Sequence, residues 1–159
     1  MANLEAVRKP HFEQEPPYIE PLRKTQEAPA WCVLLGRVFI STIFILASFS
    51  HFSSGTIAYA AERGIPAAGV LVPLAGIIAL VGGLSVLLGF RARIGAWLLV
   101  AFLVPVTLTM HNFWTETDPA TATLQRVMFL KNLSMLGGVL LLTYFGAGPF
   151  SIDARRRRF

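Results

Sequence analysis

Four long apolar blocks, over residues of about 31–52, 66–90, 94–110 and 127–145, constrain this sequence more than any other feature. A bilayer core of about 30 Å takes about 20 helical residues. A helix is the structure that satisfies every backbone polar group within such a segment. Charged residues are 14% of the chain, against about 25% in a soluble domain. They crowd into the ends and three short gaps, so nothing remains to coat a water-facing surface. The expected fold is all-α: a four-transmembrane-helix bundle.

Three domains are expected: an arm over 1–30, a membrane domain over 31–149, and a basic tail over 150–159. Pro10, Pro16, Pro17, Pro21 and Pro29 punctuate the arm and leave no helical or strand period. Phe12, Tyr18, Ile19 and Leu22 could anchor it on a partner. The chain shows no cleavable signal, so the first span would itself direct insertion. After that span, Ile57, Ala60, Ala61 and Gly64 give a weak amphipathic stripe, which predicts a short interfacial helix ended by Gly64-Ile65-Pro66. Arg91-Ala92-Arg93 is a short turn between the second and third spans. The polar gap before the fourth holds Glu116, Asp118 and Pro119, residues Thr123 to Lys131 are expected to begin helical ahead of the membrane, and Gly146–Pro149 ends the fourth.

Eleven of the fourteen basic residues fall on the side that holds both termini and the Arg91–Arg93 turn. Positive charge is retained in the cytoplasm, so both termini are expected there, in a multi-pass protein of a bacterial inner membrane. The closing run of arginines suits anionic headgroups. Nucleic acid is not an expected partner; membrane lipid and other membrane subunits are.

Polar residues inside or beside the spans are the candidates for function. His51, His111, Asn112, Trp114, Lys131 and Asn132 all belong to the outer side. Three readings of this set stay open. They could be interfacial residues; a pocket for a quinone or small acid, with Lys131 and His111 on a carbonyl and Trp114 over a ring; or haem b between His51 and His111. The last is disfavoured because each histidine lies at a boundary. No resident cofactor is expected, and no metal site: the single cysteine, Cys32, excludes a thiolate cluster and an internal disulfide. At the inner side Arg37 and Asp153 are expected to pair and tie the first span to the end of the fourth. Gly69, Gly76, Gly82, Gly83, Gly137 and Gly138 are expected to let helix backbones approach closely.

Several segments together resemble the DoxX family of small bacterial inner-membrane proteins. They are Gly36-Arg37, Arg63-Gly64-Ile65-Pro66, Gly82-Gly83-Leu84 with Leu87-Leu88-Gly89-Phe90-Arg91, His111-Asn112-Phe113-Trp114, Phe129-Leu130-Lys131-Asn132, Gly137-Gly138, and Gly146-x-Gly148 with Ser151-Ile152-Asp153. The resemblance implies four membrane helices and a link to redox complexes. Two functions follow as expectations. One is a non-catalytic accessory subunit of a larger membrane complex, respiratory or otherwise redox-linked, with the arm as its docking segment. The other is a quinone-reactive subunit of an oxidoreductase such as thiosulfate:quinone oxidoreductase. A small transporter is a third, opposed by the few buried polar groups and the lack of an inverted repeat. Enzymatic activity of the chain alone is not expected.

Overall fold

The computed structural model describes residues 29–156. All but the end of the arm, together with Arg157 and Arg158 of the tail, lies outside the described residues. Within them the elements are α1 (Ala30–Ser50), α2 (Ser54–Glu62), α3 (Ala68–Leu88), α4 (Ala92–Met110), a single 3-10 turn (Phe113–Thr115), α5 (Pro119–Phe145) and α6 (Ile152–Arg156). Helices α1, α3, α4 and α5 are each long and apolar enough to cross a membrane. At 1.5 Å per residue, α1 and α3 reach about 31 Å, which matches one hydrocarbon core. The fold is the four-span all-α bundle that the apolar blocks imply.

Helix α3 is central, packed on one side against α1 and on the other against α4, and α4 in turn carries α5. Phe44, Ala79, Val86, Leu99, Leu103 and Val139 form the core, drawn from all four spans. Glycines set the closest crossings. A Cβ on Gly82 would lie 2.8 Å from Leu99 Cδ2 and 3.0 Å from the Gly95 carbonyl oxygen, so α3 and α4 meet backbone to backbone. Gly76, Gly83 and Gly138 face His51, Ile45 and Ile40 at similar range. Gly69 and Gly137 were expected in the same role, but nothing lies within 4 Å of a Cβ at either. The seven-residue line of glycines in α3 drifts around a 3.6-residue helix, and Gly69 falls beyond the crossing.

The short second helix is α2. Ser53 caps it by accepting from the Thr56 amide at 3.2 Å. It folds back on α3, with Ala60 buried against Ala68 and Val72. The fourth span starts as a helix at Pro119, eight residues ahead of the apolar block. Asp118 caps it, and Pro119, with no N–H to lose, fits the first helical turn. Buried Gln125, Asn132 and Val139, each seven residues apart, form the stripe by which α5 meets the bundle.

Candidate functional site

The rim that the charge bias assigns to the outer side, called the outer rim below, carries a continuous polar network. Arg63, the C-cap of α2, donates to Asn112 Oδ1 at 3.0 Å and pairs with Glu116 Oε1 at 2.5 Å. Both side chains of that pair are largely buried, 18% and 17% exposed. The Arg63 guanidinium also lies 5.2 Å from the centre of the Tyr59 ring. Burial pulls the Arg63 pKa down, but Glu116 and Tyr59 favour the charged form and leave it raised. Gln125 of α5 donates from Nε2 to Tyr59 Oη at 3.2 Å, so its Oε1 is the atom that meets His111 Nδ1 at 2.8 Å. His111 therefore donates from Nδ1, and its Nε2 is the free ring atom. The network clasps α2, the connection after α4, and the first turns of α5.

His111 and Asn112 are thus brought into one cluster, but the rest of the expected set is not. Trp114 packs edge-on against Phe113 and Phe129, with centroids at 5.2 and 5.8 Å, and remains 55% exposed. Lys131 is exposed, and its Nζ meets only Met128 Sδ, at 3.3 Å. Because α5 begins at Pro119, Lys131 sits about 9 Å further along the helix than Gln125 and does not reach His111. Asn132 is buried, on the same face of α5 as Gln125 but about two turns further along. Sequence reasoning missed Tyr59, Arg63, Glu116 and Gln125. The opposite charges of Arg63 and Glu116 in two gaps on one side were the available signal.

His51 belongs to a different place. It lines an apolar groove of about 360 Å³ between α2, α3 and α4, with Ala60, Val72, Ala75, Phe102 and Pro105 among its walls. The His51 ring lies 5.5 Å from that of Phe102, and its Nδ1 meets the Ala47 carbonyl at 2.9 Å. With Nδ1 donating, Nε2 is left as an acceptor. Pro105 has no N–H to give the Ala101 carbonyl, which is a second acceptor in the same wall. His51 and His111 thus have separate partners, and no group of three or more histidine, cysteine or acidic residues suited to a metal ion occurs among the described residues.

At the opposite rim, called inner on the same charge bias, the structure corrects the expected Arg37–Asp153 ion pair. Arg37 is 1% exposed and donates from Nη2 to the carbonyl oxygens of Phe150 at 2.6 Å and Pro149 at 3.5 Å. Asp153 instead accepts from the backbone amides of Arg91 at 2.8 Å and Ala92 at 3.0 Å. The two residues do share one end of the bundle. Each is engaged by main chain, because the first amides of α4 and the carbonyls after Gly148 are orphan groups that lie nearer. Arg91 is held with φ at +47°, a strained value for a residue with a Cβ. Gly89, with φ at +64°, ends α3 beneath it, and a Cβ there would overlap Arg37 Nη1 and Ser151.

Comparison with known proteins places this architecture. A family model described as the SURF4 family matches residues 18–159. Inner membrane protein YqjF of Escherichia coli is 32% identical over 123 residues, which are 76% of this chain and 88% of that protein. Inner membrane protein YphA of the same organism is 29% identical over 125 residues, 77% and 89% of the two chains. The ER-derived vesicles protein ERV29 of Saccharomyces cerevisiae is 25% identical over 134 residues; these are 84% of this chain but 36% of that longer protein. No solved structure matches. Four spanning helices and these relatives agree on a multi-pass inner-membrane protein. The family model also overturns the resemblance to the DoxX family. Several of the short motifs behind it are close-packing glycines, such as Gly82, Gly83 and Gly138, and helix-ending turns at Gly64, Gly89, Gly146 and Gly148, which any small membrane bundle needs. With it goes the basis for a redox or quinone role: the chain belongs to the SURF4 family.

Proposed function

We propose that this chain is a non-catalytic membrane subunit that docks a partner protein at its outer rim. The observation that carries the reading is the Arg63–Asn112–Glu116 clasp, together with His111 on Gln125. The polar side chains that chemistry would need are engaged in fixing α2 and the 3-10 turn. That arrangement makes a rigid rim from which Phe52, Tyr59 and Trp114 project, 51%, 40% and 55% exposed. Exposed aromatics on a fixed scaffold are the usual anchors of a protein interface. Relatives named for a bacterial inner membrane and for ER-derived vesicles support a role that does not depend on a respiratory chain.

The test is purification of the tagged protein in a mild detergent, with native sizing and mass spectrometry of whatever accompanies it. A stoichiometric partner that Trp114→Ala releases supports docking. A lone small oligomer, unchanged by that substitution, opposes it. The groove at His51 favours a second reading, binding of a lipophilic molecule that donates a hydrogen bond to His51 Nε2 or the Ala101 carbonyl. Co-purified lipid extracts that lose one species in His51→Phe would support that reading.

A further inference from the structure

A cavity of about 570 Å³ opens at the inner rim, apart from the outer clasp and the groove at His51. Arg91, Arg93 and Arg156 line it, and Asp153 is its one carboxylate among the described residues. Both Asp153 oxygens already accept from backbone amides, of Arg91 and Ala92. The arginines keep most of their donors. Arg93 gives Nη2 to the Tyr144 carbonyl at 2.9 Å, and Arg156 stacks 4.8 Å from the centre of the Phe90 ring. Behind the wall formed by Ala147 and Ser151 lies Arg37. It is almost fully buried, and its Nε and Nη1 have no hydrogen-bond partner. Among the described residues, four guanidinium groups therefore face or back one cavity with a single carboxylate among them.

The mouth of the cavity tells what enters. Ile94 and Phe145 line it and are 56% and 70% exposed, at the ends of two spanning helices that face lipid. Such a site suits a molecule with an anionic head and an apolar tail, because guanidinium pairs with phosphate oxygens in a bidentate way. A free phosphate would use the arginines and leave the apolar mouth unmatched.

We infer that this cavity is a specific site for the phosphate headgroup of an anionic phospholipid, held by Arg93 and Arg156, with acyl chains lying along Ile94 and Phe145. The site needs no partner protein and stands whether or not the outer rim docks one.

The experiment is native mass spectrometry and thermal melting of the full chain in detergent, titrated with phosphatidylglycerol, phosphatidylcholine or inorganic phosphate. Phosphatidylglycerol should bind with one-to-one stoichiometry and raise the melting temperature. Arg93→Gln with Arg156→Gln should weaken binding about tenfold or more, while Arg126→Gln, on the opposite rim, should not. Equal binding of phosphatidylcholine overturns the inference, as does equal protection by inorganic phosphate, which would show a soluble anion as the ligand. Unchanged affinity in the double variant also overturns it. Should that variant not fold, a photo-activated phosphatidylglycerol on the wild type decides. Crosslinks within 91–94 or 144–156 uphold the site, and crosslinks elsewhere refute it.

Discussion

Replacing Asp153 by alanine should loosen the inner rim by an amount the geometry sets. The change strands two amides. That of Ala92 belongs to a residue with 0% exposure, and a buried donor without a partner costs about 1–3 kcal/mol. That of Arg91 is exposed and finds water, a loss of about 0.5–1.5 kcal/mol. The sum is about 1.5–4.5 kcal/mol. Asp153→Asn keeps one acceptor but turns its amide donor toward the other N–H, so it should recover only part of the loss. The left-handed conformation of Arg91 is the other half of the argument. Asp153 holds it there against a strain of about 1–2 kcal/mol. In the Asp153→Ala background, Arg91→Gly should therefore restore about 1 kcal/mol, since glycine adopts that φ freely. Titration with sodium dodecyl sulfate from maltoside micelles, followed by far-ultraviolet circular dichroism, measures all four proteins. An Asp153→Ala variant within about 0.5 kcal/mol of wild type would refute the reasoning, as would an Arg91→Gly change that destabilises further.

Gly95→Val should separate α3 from α4, because a Cβ at Gly95 already overlaps Ser85; overpacking of about 1–3 kcal/mol is expected in the same titration. A double-mutant cycle of Arg63→Gln and Glu116→Gln should give a coupling energy of about 1 kcal/mol, at the upper end for surface pairs because the pair is mostly covered. A coupling near zero would show that the clasp does not hold. The Thr121 hydroxyl and amide donate to Asp118 at 2.7 and 2.8 Å and keep its carboxyl below its ordinary pKa. The unfolded chain then binds more protons, so the cap's contribution is full above the usual carboxylate range. It fades as pH falls through the depressed value. Unfolding midpoints should show this acid-side loss in wild type and lack it in Asp118→Asn.

The spans were legible because a continuous apolar run of about 20 residues has few alternatives in lipid. Their ends were less so. A helical start ahead of the fourth apolar block was expected from Thr123, and α5 begins four residues earlier, at Pro119; the small and polar residues 119–122 project no apolar pattern, though Asp118-Pro119 carried the capping signal. The candidate site was legible in parts. Position on one side of the membrane grouped His51, His111 and Lys131, but side does not give rotation about a helix axis or depth along it. His51 turns toward α3 and α4, and Lys131 lies a turn and a half beyond Gln125. Charge complementarity suggested Arg37 with Asp153 and overlooked backbone carbonyls and amides, which no composition count reveals. The glycines divide in the same way: sequence shows where small residues recur, and only packing shows that Gly82 and Gly138 are covered while Gly69 and Gly137 are bare.

The first and last spans meet over a short stretch, where Ile40 reaches the backbone at Gly138. They are fastened mainly at the inner rim, where Arg37 grips the chain after α5 and Val33 touches Gly148. The outer clasp joins α2 to α5 and so draws the two flanks together only indirectly. The polar ties thus sit at the rims, and at mid-depth the two spans are held by the apolar contact of Ile40 with Gly138. A side chain added at Gly138 would therefore press on α1 at mid-depth while the polar ties at both rims stayed in place, so the glycine sets how closely the two outermost spans can lie.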